Sequence, residues 1–88
     1  MVYTISFASR ALKELEKLPK SVQERINEGI RCLRENPFAP RSGCDIRKLR
    51  GYVPPAYALR VGDYRVRYSV DADEVVITGV KHRGRAYR

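Results

Sequence analysis

Residues 59–68 read LRVGDYRVRY, and the two residues at their centre decide how the rest is arranged. Gly62 and Asp63 separate two runs that alternate apolar and basic residues, and a two-residue loop with glycine first marks a tight β-hairpin. Such a loop pairs Val61 with Tyr64, Arg60 with Arg65, Leu59 with Val66 and Ala58 with Arg67. Side chains alternate between the faces of a strand, so the apolar partners share one face and Arg60, Arg65 and Arg67 share the other. Like charges across a ladder repel. Guanidinium groups gathered on one strand pair therefore predict an anion-binding face, because their forked donors match phosphate oxygens.

The pattern extends outward on both sides. AYALRV (56–61) and YRVRYSV (64–70) alternate throughout, with Tyr57, Leu59 and Val61 on one face and Tyr64, Val66, Tyr68 and Val70 beside them. EVVITGV (74–80) is apolar nearly throughout and predicts a strand buried on both faces, ending near Val80. Near the N-terminus, VYTISF (2–7) alternates as a strand, and Ser9 is placed to cap the following helix. Ala11, Leu12, Leu15 and Leu18 form the apolar stripe of that helix, which should stop at Leu18 before Pro19. A second helix starts at Pro19 or at the capping-box sequence SVQE (21–24). It carries Val22, Ile26, Ile30 and Leu33 inward and ends near Asn36. So short a turn makes the two helices an antiparallel hairpin. NPFAPRSGCD (36–45) is a turn-rich connection, and IRKLRGYVPP (46–55) holds a short extended piece before Gly51. The expected fold is α+β, with residues 1–88 as one domain. Its order is strand-helix-helix-strand-strand-strand: a small, twisted, mainly antiparallel sheet of four strands with a helical hairpin on one face.

The net charge of +8 is unevenly placed. Residues 41–68 hold seven basic and two acidic side chains, and the final KHRGRAYR (81–88) holds four basic residues, one histidine and no acid. A concentrated positive field favours a polyanionic partner. No apolar run approaches the ~20 residues of a membrane span, and the N-terminus lacks a signal-peptide pattern, which predicts a cytoplasmic protein without a membrane partner. Cys32 and Cys44 are then expected to be plain thiols. A single histidine, His82, and two separated cysteines supply no metal centre, and no cofactor is implied. The strand pattern excludes a three-helix DNA-binding module, and the helix pair reads as scaffold.

The element order, together with RALKELEKLP (10–19), KLRG (48–51), LRVGDYRVRY (59–68) and KHRGRAY (81–87), resembles the RelE/ParE superfamily of toxins across essentially the whole chain. The third and fourth stretches, in that order, carry the resemblance. The final arginine and tyrosine are more similar to RelE-type mRNA interferases than to the gyrase-directed ParE branch. The resemblance implies a metal-independent endoribonuclease that enters the ribosomal A site and makes the messenger's 2′-hydroxyl attack the adjacent phosphate. It also implies a cognate RelB-like antitoxin that holds the toxin inactive in a hetero-oligomer.

Carried over position by position, the resemblance gives Arg65 and Arg83 the binding of phosphate and the stabilisation of the transition state. It gives Tyr87 the orientation or stacking of the substrate base, with proton transfer as a second role. The remaining positive charge, Arg41, Arg47, Lys48 and Arg50, would meet ribosomal RNA by phosphate contacts, and Arg60, Arg67, Lys81 and Arg85 would add further RNA contacts. The sequence departs from the family where two strand lysines are expected: those places hold Ala56 and Ala58. The general base is therefore open among His82, the side chain that ordinarily titrates near neutrality, and the lesser candidates Lys81 and Arg60. Two alternatives follow from the missing lysines: a ParE-like, non-nuclease toxin acting on DNA gyrase, or an RNA-binding relic without chemistry. The expected geometry makes KHRGRAYR one wall of the site, with Lys81, His82 and Arg83 delivered to the open face beside Arg65.

Overall fold

The computed structural model describes residues 2–86, the side chains of residues 85 and 86 excepted. The elements run β1 (Thr4–Phe7), α1 (Ser9–Glu16), α2 (Lys20–Gly29), a 3₁₀ turn (Ile30–Arg34), β2 (Asp45–Leu49), β3 (Ala56–Val61), β4 (Tyr64–Asp71), β5 (Glu74–His82) and a short α3 (Arg83–Ala86). The strands form one sheet in the order β1-β5-β4-β3-β2. β1 runs parallel to β5, and every other pair is antiparallel.

The α+β class and the order of the expected elements hold, and the sheet gains a fifth strand. β2 forms from the stretch expected to be only a short extended piece. At the sheet edge it buries Ile46 alone and half-buries Leu49, leaving Asp45, Arg47 and Lys48 exposed. An edge strand needs little apolar signal, so alternation underreports it.

Helix ends also shift. α1 begins at Ser9 with Ala8 as N-cap and no side-chain cap bond, and it ends at Glu16, two residues before Leu18. α2 starts at Lys20 after Pro19, and from Ile30 the chain tightens into the 3₁₀ turn that ends at Arg34. Leu12 of the expected stripe is exposed, whereas Ala11 and Leu15 are buried.

The hairpin pairs as its loop length requires: Val61 with Tyr64, Arg60 with Arg65, Leu59 with Val66 and Ala58 with Arg67. Gly62 takes φ +57°, the left-handed conformation that the first residue of such a loop needs. The core lies on the helix side of the sheet, where Leu59, Val66, Tyr68, Val75 and Ile77 meet Ile26 and Leu33.

β5 is not buried on both faces as expected. Val75, Ile77 and Val80 are buried, but Thr78 is exposed. Thr78 falls on the open face, at a shift in pairing: Tyr68 faces Ile77 while Arg67 faces Gly79, so Thr78 has no partner across the ladder. A bulge of this kind resets the parity of a strand. It lets Val80 return to the core after a three-residue step and turns Lys81 to the open face, directly across from Arg65.

α2 approaches the sheet at Gly29. A methyl group there would lie 2.8 Å from Cγ2 of Val61, a β-branched side chain with little rotamer freedom. Replacing an exposed helical glycine with alanine normally stabilises by up to about 1 kcal/mol. Here overpacking costs about 1–3 kcal/mol, so Gly29→Ala should lower the melting temperature. An unchanged or raised melting temperature would contradict this close approach.

Cys32 and Cys44, expected as thiols, form a disulfide. The 3₁₀ turn and the start of β2 bring their Cα atoms to 5.9 Å, inside the range such a bond spans. The connection between them is further fixed by Arg41, which donates to the carbonyls of Cys32 and Ala39 at 2.7 Å each. No described helix is long and apolar enough to cross a membrane.

Candidate functional site

The face of the sheet turned away from the core collects the charged side chains. Arg60, Arg65 and Arg67 share it, joined by Asp45 and Arg47 from β2 through pairing with Arg60 and Ala58. Lys81 joins from β5. Lys48 alternates to the opposite face as the partner of Tyr57, and Arg50 lies in the turn beyond β2, so neither sits on the arginine face.

Two concavities mark this face. The smaller, ≈ 240 Å³, is bounded by Arg47, Arg60, Arg65 and Arg83, with Asp45 and Tyr64 at its sides. The larger, an open groove of ≈ 890 Å³, runs between α1 and the 50–55 loop past Arg65, Arg67 and Lys81. Arg65 borders both.

Arg83 reaches the first concavity because the β3–β4 loop holds the chain where β5 ends. Its backbone N–H donates to the carbonyl of Asp63 at 2.6 Å, and the chain then turns into α3. Arg65 and Arg83 thus converge on one pocket from separate segments. The hairpin loop read from the sequence is also the part that anchors the tail.

His82 departs from the expected placement. Alternation puts it on the opposite face from Lys81, paired with Tyr64, whose ring it meets edge-on with centroids 5.2 Å apart. Its Nδ1 accepts a hydrogen bond from the Gly84 N–H at 3.2 Å. In a neutral imidazole this leaves the proton on Nε2, so the ring presents a donor rather than a base. Tyr87 lies outside the described residues, as does the side chain of Arg85.

Ala56 and Ala58, at the places of the absent lysines, are both on the open face. Ala58 is nearly covered, and together with Gly79, the β5 partner of Arg67, it leaves the floor around Arg67 without side-chain bulk.

Two contributors had no sequence signal beyond helix spacing or a turn. Glu14 of α1 accepts from the Val80 N–H at 3.0 Å through Oε1, while its Oε2 forms an ion pair with Lys81 and lies 3.8 Å from Nε of Arg10. Tyr52 of the 50–55 loop places its ring over the Arg67 guanidinium, 5.5 Å from Cζ to centroid.

Burial pushes the Glu14 carboxyl up. The hydrogen bonds from Lys81 and the Val80 amide, with the charges of Lys81 and Arg10, outweigh that effect and hold it below its ordinary value of 4.5. A carboxyl whose folded value is depressed contributes stability that is fully present above the unfolded value and is lost as pH falls through the folded one. Glu14→Gln should therefore lower the denaturant midpoint at pH 7, with the two proteins converging well below pH 4.5. Equal midpoints at pH 7 would show that the Lys81 pair adds nothing.

A basic α+β domain with two arginine segments meeting on the open side of its sheet has the architecture of a RelE-like toxin. The comparisons agree. Residues 5–87 match the family described as ParE toxin of type II toxin–antitoxin systems. The chain is 33% identical over 90 residues to the RelE1 toxin candidate of Methanocaldococcus jannaschii, covering 100% of this chain and 98% of that one. It is 33% identical over 93 residues to the mRNA interferase toxin RelE of Escherichia coli, covering 99% and 92% of the two chains. It superposes on a chain of the archaeal RelE–RelB complex from Pyrococcus horikoshii with a TM-score of 0.78 at 36% identity, over 97% and 99% of the two chains. The chain belongs to the RelE/ParE toxin superfamily and is of the RelE type.

Proposed function

We propose that this toxin is a ribosome-dependent, metal-independent endoribonuclease that cuts messenger RNA in the A site and so stops translation. The observation that carries the reading is the convergence of Arg65 and Arg83 from different segments on one pocket. Attack of a 2′-hydroxyl on the neighbouring phosphate builds negative charge on the phosphoryl oxygens before the bond to the 5′-oxygen breaks. Two permanently charged, pre-organised guanidinium groups stabilise that charge more strongly than that of the ground state. The 2′-hydroxyl gives its proton to water as its oxygen bonds to phosphorus, and the departing 5′-oxygen takes one up, so the products would be a 2′,3′-cyclic phosphate and a 5′-hydroxyl.

The proton acceptor is less well provided. Arg60 stays charged, the Nδ1 of His82 is engaged by Gly84, and Lys81 is ion-paired with Glu14. The rate therefore rests on electrostatic stabilisation, and His82, which borders the larger groove at the end of β5, is left a hydrogen-bond donor's role through Nε2. Tyr87 keeps its proposed place against the substrate base. Arg47, Arg60 and Arg67 would meet RNA phosphates, which position the protein without reading sequence.

Related toxins have been solved as complexes with RelB, including those of Pyrococcus horikoshii and Methanococcus jannaschii, and we infer a RelB-like antitoxin for this chain. A ribosomal target places the toxin in the cytoplasm. The matching family model is described for ParE, and Ala56 and Ala58 stand where lysines are expected, which favours the gyrase-directed reading as the alternative. A cell-free translation assay beside a gyrase supercoiling assay separates the two. Translation arrest by wild type, lost in Arg83→Ala, with supercoiling untouched, is the expected result. Inhibited supercoiling with normal translation would overturn it.

A further inference from the structure

The 50–55 loop was silent in the sequence, yet it carries a planar side chain into the larger groove. Tyr52 is 46% exposed even with Arg67 against its ring, so it keeps surface for another flat group. Beneath it the floor carries little bulk beside Arg67, whose cross-strand neighbours are Ala58 and Gly79, with the small side chains of Ser69 and Thr78 at its margin. The walls are cationic. Arg10 of α1 and Lys17 just beyond its end stand across the groove, and the one carboxylate there among the described residues, Glu14, is already paired with Lys81. An aromatic ring backed by a guanidinium, above a floor of mostly small side chains and beside the arginines proposed to bind phosphate, fits an unstacked nucleotide base. Aromatic and arginine planes hold single-stranded RNA in this manner.

From this arrangement we propose that Tyr52 is the stacking platform for a base of single-stranded RNA in the groove, with Arg67 fixing the ring. The proposal rests on the nuclease reading and deepens it. Where Ala56 and Ala58 leave the substrate without lysines to grip it, the loop supplies a hold of another kind. The ring touches the base and takes no part in the bond-making step, so its loss acts on binding.

The test uses the intact toxin and a short single-stranded RNA carrying one 2-aminopurine, whose fluorescence is quenched when it stacks. Wild type and Tyr52→Phe should bind alike and quench. Tyr52→Ala should bind about 5- to 150-fold more weakly, the range expected for losing one base–aromatic stack, and should leave the probe bright at saturation. Arg65→Ala should weaken binding but keep the quench. Wild-type affinity and quench in Tyr52→Ala, with Arg65→Ala weakened, would overturn the platform while leaving the nuclease reading in place. No RNA binding by wild type would remove both. Loss of antitoxin binding by Tyr52→Ala, with RNA binding intact, would make the loop a protein-docking site and overturn the proposal.

Discussion

Arg83→Ala and Arg65→Ala should each lower single-turnover cleavage of messenger on programmed ribosomes by about 10²–10³-fold, equal to about 2.7–4 kcal/mol of transition-state stabilisation. Both side chains border the same ≈ 240 Å³ pocket, one from β4 and one from the residue after β5. Neither is part of the buried core, so the melting temperature should change little. His82→Ala should cost far less than either, because its acceptor nitrogen is occupied by the Gly84 amide. Equal and small losses for all three variants would mean that the cationic face contributes only diffuse attraction. A dominant loss in His82→Ala would move the chemistry from electrostatic stabilisation to proton transfer.

The largest effect on stability is expected at Tyr68. It is the largest side chain among those fully buried, stacks on Tyr57 with centroids 5.6 Å apart, and donates its hydroxyl to the Pro37 carbonyl at 2.6 Å. Burial drives the phenol's pKa well above its ordinary value, so it remains a donor throughout the working range. Tyr68→Ala should cost about 3–5 kcal/mol through the cavity it leaves, a large share of the ~5–15 kcal/mol that holds a small domain folded. Tyr68→Phe keeps the ring and should cost about 1–3 kcal/mol, because the Pro37 carbonyl loses its partner. Urea denaturation gives both values. A Phe variant as stable as wild type would show that the hydroxyl bond between β4 and the 36–45 connection is not needed.

The sequence was most legible where a local rule had no competitor. A two-residue loop allows one register, and the pairs from Val61–Tyr64 to Ala58–Arg67 form as that register demands. The arginine face followed from the register by alternation alone. The bulge at Thr78 was not legible, because nothing in EVVITGV marks where pairing slips. That single slip puts Lys81, rather than Val80, across from Arg65 and turns His82 to the opposite face beside Tyr64. β2 was hidden for a different reason: as an edge strand it buries one side chain, too few for a period to show. The disulfide was missed because compartment, not distance, set the expectation; only the folded chain brings two cysteines twelve positions apart within bonding range. Glu14 and Tyr52 enter the groove through tertiary placement, and their neighbours in sequence say nothing of it. Ala56 and Ala58 were legible as a departure, and the fold places them on the open face, Ala56 in the larger groove and Ala58 in the smaller pocket.

The most direct test of the account lies in the substrate rather than the protein. It is cleavage of a messenger with a single 2′-deoxynucleotide at the scissile position in the A site, measured beside the all-ribose messenger with the wild-type toxin. If the arginine pair stabilises attack by the 2′-hydroxyl, the all-ribose messenger is cut to a 2′,3′-cyclic phosphate and a 5′-hydroxyl, and the deoxy messenger stays intact. Cleavage of the deoxy messenger at the same bond would contradict the account, since the nucleophile would then have to come from elsewhere.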